Sequence, residues 1–203
     1  MSSSILPPLS PEQPQPQPRQ RLTVTEFHRL IDEGVLGEND RVELLEGLMV
    51  PKMTHNPLHD GVIQIVSKRL ERHLPPQWST RIQSAITTAD SEPEPDIAIV
   101  RGDERTYLTL HPRPQDVAVL IEVAESSLNQ DRQDKGRLYA RARIAVYWIV
   151  NLIDFQIEVL SDPTGSDDAP EYRTRQVFRG DDVVPVVIDG REIVGIPAKD
   201  LLP

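Results

Sequence analysis

The stretch DVAVLIEVA, residues 116–124, decides how the rest of the chain can be arranged. Only Asp116 and Glu122 are polar within it, and such a continuous apolar run is typical of a strand that is buried on both faces. PDIAIV at residues 95–100 precedes this stretch and AVYWIVN at residues 145–151 follows it, and both are predicted to be strands as well. We therefore expect a sheet with the 116–124 strand in its interior.

The segments around these strands alternate between helical and extended patterns. Helical periodicity begins at Thr23 or Thr25, with Thr25 as a cap, and again at Pro57, where proline is tolerated because it opens a helix. Further patterns predict a hairpin at residues 41–51, a helix at 129–143, and strands at 80–88, 155–160, 172–178 and 182–188. This order indicates an α/β (α+β) fold with a mixed central β-sheet flanked by helices.

Length and composition restrict the domain organisation and the compartment. A chain of 203 residues fits one domain, which we expect at residues 22–203, after a Pro/Gln-rich segment at residues 1–21 that is predicted to be disordered. The absence of cysteine excludes disulfides and thiolate zinc sites. The first residues do not resemble a signal peptide, and no apolar run approaches the ~20 residues that span a bilayer. We therefore expect a cytoplasmic protein without a membrane segment.

The charge of the chain bears on its partners. The formal net charge of −10 argues against tight nonspecific binding to nucleic acid, which normally relies on lysine and arginine. It does not argue against a metal site, because such a site needs carboxylates and a bound cation reverses the local charge.

Two acidic residues stand out by their position in the predicted strands. Asp96 opens the 95–100 strand, and Glu122 lies near the end of the apolar 116–124 strand, where an acid is costly to bury unless it is paired, protonated or bound to metal. If the two strands pair antiparallel, with Val100 near Ala118, Asp96 lies opposite Glu122 and their Cβ atoms are ~5 Å apart. This spacing predicts a site for Mg²⁺ or Mn²⁺. The alternative is an acid that caps a strand end or pairs with an arginine.

Four stretches together resemble a known family. They are VELLEGLMV, PEPDIAIV, VLIEVAESSLNQDRQDKGRLYARA and VYWIVN, in this order between about Leu22 and Leu160. PDIAIV followed by VLIEVAESS resembles the PD-(D/E)XK arrangement of restriction-endonuclease-like proteins, and the whole set resembles the Uma-two family of endonucleases. The resemblance implies a restriction-endonuclease-like core and a metal-dependent endonuclease that acts on nucleic acid, with DNA as the expected substrate.

The resemblance also implies a set of site residues. Asp96 and Glu122 would hold Mg²⁺ (or Mn²⁺), and the backbone carbonyl of Val123 would be a further ligand. The superfamily lysine lies two residues after the second acid, where this chain has Ala124. In the Uma-two family a lysine of the following helix takes its place, and here the matching residue is Lys135.

Further site candidates each have a structural alternative. Lys135 would orient water or stabilise charge at the phosphate, or it simply pairs with Asp131 one helical turn before it. Glu43 matches the acid of the first family motif and would assist a second metal or position water, or it is a surface acid at a strand edge. Tyr139 and His59 are accessory candidates that would serve equally well as structural residues.

Other features keep rival functions open. Lys135, Arg137, Arg141 and Arg143 make the 129–143 helix the most basic part of the chain, which is typical of either a phosphate-facing surface or a solvated helix. Glu125 stands where family members often have serine, so an acid is added beside the site. Together with Ala124 and the net charge, it favours an alternative hypothesis, a catalytically inactive nuclease-fold protein that acts as a binding or regulatory module. A homodimer formed through the strands after Ala145 is a third hypothesis.

Overall fold

The structure is a computed structural model that describes residues 21–37, 39–52, 54–165 and 168–203. The Pro/Gln-rich segment predicted to be disordered, residues 1–21, lies outside the described residues except for Arg21. In the part of the chain that the structure describes, no helix has both the length and the apolar character that crossing a membrane requires.

A six-stranded sheet forms the centre of the molecule. Its strands follow one another in chain order: β3 (Trp78–Ile82), β4 (Ile97–Arg101), β5 (Val117–Ala124), β6 (Val146–Asn151), β7 (Gln156–Pro163) and β8 (Tyr172–Phe178). Neighbours pair antiparallel except β5 and β6, which are parallel and therefore need a crossover connection. The predicted mixed central sheet is confirmed, and all eight residues of β5 are buried within it.

The remaining elements cover the two faces of this sheet or lie beside it. They are α1 (Val24–Asp32), the hairpin β1 (Val42–Leu45) and β2 (Leu48–Pro51), α2 (Pro57–Glu71), α3 (Leu128–Gln130), α4 (Gly136–Arg141), and the hairpin β9 (Val183–Ile188) and β10 (Arg191–Pro197). Apolar residues of α2 and β9, such as Val66 and Val186, pack on one face of the sheet together with Ile121. On the other face, Leu138 of α4 packs with Leu120.

Three local predictions differ from the structure. The 80–88 strand ends at Ile82, because Gln83 has a positive φ of 45° and the chain then turns to hydrogen-bond with residues 93 and 96. The cap of α1 is Thr23 and not Thr25, since Thr23 and Glu26 form a reciprocal capping box. The hairpin partner β10 had not been predicted.

The predicted 129–143 helix is divided by a π-helical turn. The turn runs from Asp131 to Lys135, between α3 and α4, and the amide of Gly136 donates to the carbonyl of Asp131. Such turns inside helices frequently lie at functional sites.

Glu158 of β7 is a fully buried acid at the centre of a hydrogen-bond network. Its carboxylate accepts from Arg132 Nε at 3.1 Å, Arg175 Nε at 3.0 Å, Asn151 Nδ2 at 2.9 Å and Gln156 Nε2 at 2.8 Å. Burial by itself would raise the pKa of Glu158, but these hydrogen bonds outweigh it and hold the pKa at about 2. The network therefore stabilises the ionised form and joins the helical region after β5 to the far strands of the sheet.

Glu158→Gln is expected to make the protein less sensitive to acid. The pKa of Glu158 is lowered from 4.5 to about 2 in the folded state. Above pH 4.5 the carboxylate therefore contributes about 3 kcal/mol to the free energy of unfolding, and this contribution is lost as the pH falls toward 2. Urea unfolding at pH 7 and pH 3 measures the difference. Asp162→Asn, an exposed acid of the same strand, is the matched control and should behave as wild type. Equal pH dependence of the Glu158→Gln and wild-type proteins would refute the prediction.

Candidate metal centre

The end of the β4–β5 pair brings two acidic residues together. Ile97 pairs with Ile121, which confirms the predicted antiparallel pairing of the two strands, and continuing this register by one residue places Asp96 opposite Glu122. A register shift after Ile99 makes Val100 face Val117, but it lies at the other end of the pair and leaves the acids in register.

The carboxylate of Asp96 is held by two donors. The backbone amide of Val123 donates to Oδ2 at 2.8 Å, and Nε2 of His59, near the start of α2, lies 3.2 Å from the same oxygen. Asp96 is buried, with 7% of its surface exposed. Burial by itself would raise the pKa of Asp96, but His59, the Val123 amide and the charge of Lys135 lower it below its usual value. Asp96 is therefore held as a carboxylate.

The carboxylate of Glu122 is held from the helical region that follows β5. Lys135 Nζ donates to Oε1 at 2.8 Å, and the hydroxyl of Tyr139, four residues later, donates to the same oxygen at 2.7 Å. The carboxylate of Asp131, by contrast, accepts from Ser127 Oγ at 2.6 Å. Lys135 thus pairs with Glu122 of β5 and not with Asp131. This is the contact expected if Lys135 takes the place of the superfamily lysine, whose position is occupied by Ala124 in this chain.

Burial and charge act against each other at this pair. Burial raises the pKa of Glu122 to about 8, although Lys135 lowers it, and the nearby Asp96 raises it further. Burial would lower the pKa of Lys135, but the charges of Glu122, Glu43 and Asp131 raise it well above its usual value. The ammonium is therefore firmly protonated, whereas Glu122, in the absence of a cation, loses its proton only near pH 8.

The donor set fits a hard divalent cation. Both donors to Glu122 use Oε1 and both donors to Asp96 use Oδ2. Within the described ranges no hydrogen-bond donor reaches Glu122 Oε2 or Asp96 Oδ1. Two carboxylate oxygens on adjacent strands thus keep their lone pairs, and Mg²⁺ or Mn²⁺ prefers oxygen ligands of this kind.

A cavity of about 410 Å³ opens over the two acids. Val123 and Lys135 line it, and so does Glu43 from β1. Glu43 is buried, and its Oε2 accepts from the backbone amide of Glu94 at 3.1 Å. The predicted site residues Glu43, Asp96, Glu122, Val123, Lys135 and His59 therefore share one cavity, while Tyr139 lies behind it on Glu122.

Comparison with known proteins identifies the family of the chain. The family model named Uma2, with the description "Putative restriction endonuclease", matches residues 24–193. The chain belongs to the Uma2 family. The match includes every residue of the site described above, and Uma2 is the family that the four sequence stretches predicted.

A solved structure supports the fold of this Uma2 protein. A crystal structure described as "a putative nuclease belonging to DUF820 from Anabaena variabilis ATCC 29413" superposes with a TM-score of 0.66. The match covers 89% of this chain and 97% of that chain, at 17% sequence identity, so the likeness is one of fold. No curated protein matches the chain.

Some residues of this candidate site were not identified from sequence. Asp131 lines the cavity and is 3% exposed, and burial raises its pKa. In the sequence it stands out only as a helix partner of Lys135. Glu94 and Lys52 form an ion pair at the cavity, and His55 lies beside His59. The four-residue spacing of the two histidines was the one signal that could have drawn attention to them.

The basic residues of α4 are engaged within the protein. Arg137 donates to the side chain of Glu46, in the β1–β2 turn, and Arg141 pairs with both Glu46 and Asp90. These contacts favour the structural alternative for both arginines over a phosphate-facing surface. Lys135, by contrast, lines the cavity.

Proposed function

We propose that this Uma2 protein is a metal-dependent endonuclease that hydrolyses phosphodiester bonds of nucleic acid, with DNA as the expected substrate. The observation that carries the proposal is the convergence of Asp96, Glu122 and Lys135 at one end of the β4–β5 pair, inside an open cavity. The description of the family as restriction endonucleases supports the same reaction class.

Asp96 and Glu122 would hold Mg²⁺ or Mn²⁺, with the carbonyl of Val123 as a further ligand. When bound, such an ion polarises a phosphate oxygen and lowers the pKa of a coordinated water. The protein's own contribution is to fix the ligands: Val123 and His59 restrain Asp96, and Tyr139 restrains Glu122. Because these donors occupy one oxygen of each carboxylate, the other oxygen is already directed before a ligand arrives.

Lys135 and Arg41 would act on the substrate. The Lys135 ammonium lies on the cavity wall and provides a fixed positive charge for the phosphate as negative charge develops on it. Arg41 lines the same cavity and is exposed, so its guanidinium can contact a neighbouring phosphate of the backbone. These two cations compensate locally for the acidic character of the chain.

Cleavage of supercoiled plasmid tests the proposal. We expect nicked and linear products with Mg²⁺ or Mn²⁺, and intact plasmid with EDTA. Single-stranded DNA and RNA, assayed in parallel, determine the substrate class. The Asp96→Asn protein, purified identically, is the control for contaminating nuclease. Metal-independent cleavage, or equal cleavage by this variant, would contradict the proposal.

A binding or regulatory module is the second candidate. The observation that favours it is the engagement of Arg137 and Arg141 in internal ion pairs, which leaves fewer cations to bind nucleic acid. This candidate predicts that no tested nucleic acid is cleaved with either metal. Homodimerisation and a cytoplasmic location stay predictions, and sedimentation at micromolar concentration tests the first of them.

Tyr139→Phe is expected to weaken the site without abolishing it. The variant removes the hydroxyl that donates to Glu122 Oε1, so we expect a loss of about 1 kcal/mol in stability. If the lost hydrogen bond also weakens metal binding by about 1 kcal/mol, because Glu122 is less well positioned, the affinity for Mn²⁺ falls about fivefold.

Tyr172→Phe is the matched control for this variant, because its hydroxyl donates to the carbonyl of Ile144, which does not line the cavity. Calorimetric titration with Mn²⁺ should separate the two variants even where urea unfolding does not. Equal Mn²⁺ affinity of Tyr139→Phe and wild type would show that Tyr139 is only a core residue.

A further inference from the structure

A second group of metal-ligating side chains lies at the start of α2. It consists of His55, His59 and Asp60, and their ligand atoms lie within 4.8 Å of one another. His55 comes just before the helix cap Asn56, while His59 and Asp60 lie in the first turn of the helix. The two imidazole rings stack with their centroids 4.5 Å apart. This group lies beside the nuclease site but uses different atoms.

The distances within this group are too long for hydrogen bonds. Asp60 Oδ1 lies 3.6 Å from His55 Nδ1 and 3.7 Å from His59 Nδ1. Two ligand atoms placed 2.0–2.1 Å from a tetrahedral zinc ion are about 3.3 Å apart. The two histidine–aspartate distances are therefore close to the spacing of atoms that share a cation, and all three ligand atoms lie within 4.8 Å of one another.

One atom of the group has no partner. His59 Nδ1 is buried and makes no hydrogen bond within the described residues, which is unusual for a buried polar atom. The other ring nitrogen, Nε2, faces the carboxylate of Asp96 at 3.2 Å. A carboxylate favours a proton on the nitrogen it faces, so in the neutral imidazole the lone pair is on Nδ1, the atom nearest Asp60.

This arrangement is the one that metal-bound histidines usually adopt. A ligating imidazole typically donates its other N–H to a carboxylate, which fixes the tautomer and orients the ring. The Nδ1 atom of His55 is also an acceptor, because the side-chain amide of Gln83 donates to it at 2.8 Å. Gln83 is exposed, so a cation can replace this donor while the amide turns to water.

We propose that His55, His59 and Asp60 form a second cation site that binds Zn²⁺. Two imidazole nitrogens and one carboxylate oxygen are a donor set that zinc prefers, whereas Mg²⁺ prefers oxygen ligands and keeps its water. Three protein ligands leave a fourth position open for water. The site goes beyond the proposed nuclease function, since its three ligands do not include Glu122 or Lys135.

The two sites nevertheless share a connection through His59. Its Nδ1 would bind the zinc ion while its Nε2 restrains Asp96, so zinc binding would hold the ring in the position that braces the nuclease carboxylate. The zinc site and the nuclease activity can still be tested separately, because zinc affinity is measured by a binding assay that contains no nucleic acid.

Zinc binding by the full chain, measured calorimetrically in excess Mg²⁺, tests the site. Excess Mg²⁺ fills the Asp96–Glu122 site, and we expect one equivalent of Zn²⁺ to bind in addition. His55→Ala and Asp60→Asn should each weaken this binding by more than about 10-fold, the loss that even removal of an outer partner of a metal site can cause. Both side chains are partly exposed, so both variants should fold.

Two controls make the result specific. His73→Ala removes an exposed histidine just after the same helix and should bind Zn²⁺ as wild type does. Glu122→Gln should lose nuclease activity but keep the zinc site. The proposal is overturned if wild type binds no Zn²⁺ in excess Mg²⁺, if His55→Ala and Asp60→Asn bind it as tightly as wild type, or if Glu122→Gln abolishes binding.

Discussion

Asp96→Asn is expected to reduce metal-dependent cleavage of DNA by about 100- to 1,000-fold, the range found when one preorganised electrostatic contact to a reacting group is removed. The substitution keeps the shape of the side chain, so the Val123 amide can still donate to its oxygen. It removes the negative charge, however, and replaces the second oxygen by an amide group that a cation does not bind. The expected loss is therefore one of chemistry and not of folding.

The measurement is the initial rate of plasmid cleavage in Mn²⁺, together with the thermal unfolding midpoint of each protein. Asp103→Asn is the matched control, because Asp103 lies in an exposed turn where its carboxylate accepts from Arg105 and Thr106 of the same turn. It undergoes the same chemical change and should keep full activity. If Asp96→Asn cleaves at the wild-type rate with an unchanged unfolding midpoint, the assigned site is wrong.

Above pH 8, where Glu122 is ionised, Lys135→Met is expected to cost about 3 kcal/mol of stability, since it leaves the buried carboxylate of Glu122 without its cation. Both side chains of this pair are largely inaccessible to water, at 11% and 4% exposure, so solvent cannot replace the lost partner. We expect cleavage to fall by about 100-fold as well, because the positive charge on the cavity wall is gone.

A double-mutant cycle separates the ion pair from other effects of the lysine. In the Glu122→Gln background, Lys135→Met should cost much less, because no buried charge is left unpaired. Urea unfolding in metal-free buffer at pH 9, above the pKa of Glu122, measures all four proteins. Lys52→Met is the control: its ion pair with Glu94 is more exposed, so its loss should cost less than about 1 kcal/mol. An equal cost of Lys135→Met in both backgrounds would refute the coupling.

The sequence predicted the centre of the molecule because its signals there are local. The apolar run that became β5 has one buried acid, and counting back from the antiparallel pairing was enough to bring Asp96 opposite Glu122. Lys135 could not be found by counting, because the side chain reaches the strand from a separate helical region. Its position became predictable only through the resemblance to the family.

The remaining features depend on contacts between distant segments. β3 ends early because Gln83 has a positive φ. This conformation is uncommon for residues other than glycine, so a glutamine in the sequence does not predict it. The π turn at 131–135 lies within a sequence that is typical of an ordinary α-helix. The engagement of Arg137 with Glu46 joins residues 91 positions apart, and no periodic pattern reports such a pair.

The β1–β2 hairpin has a consequence for how the protein opens. Two strands alone are marginally stable, and this pair is fastened at its turn by the ion pairs of Glu46 with Arg137 and Arg141. Salt weakens such partly exposed pairs, whereas the buried sheet is insensitive to it. We therefore expect hydrogen exchange at Glu43 and its neighbours to accelerate with ionic strength while β5 stays protected. Faster exchange in the hairpin alone would mean that one wall of the cavity opens at a lower free energy than the central sheet.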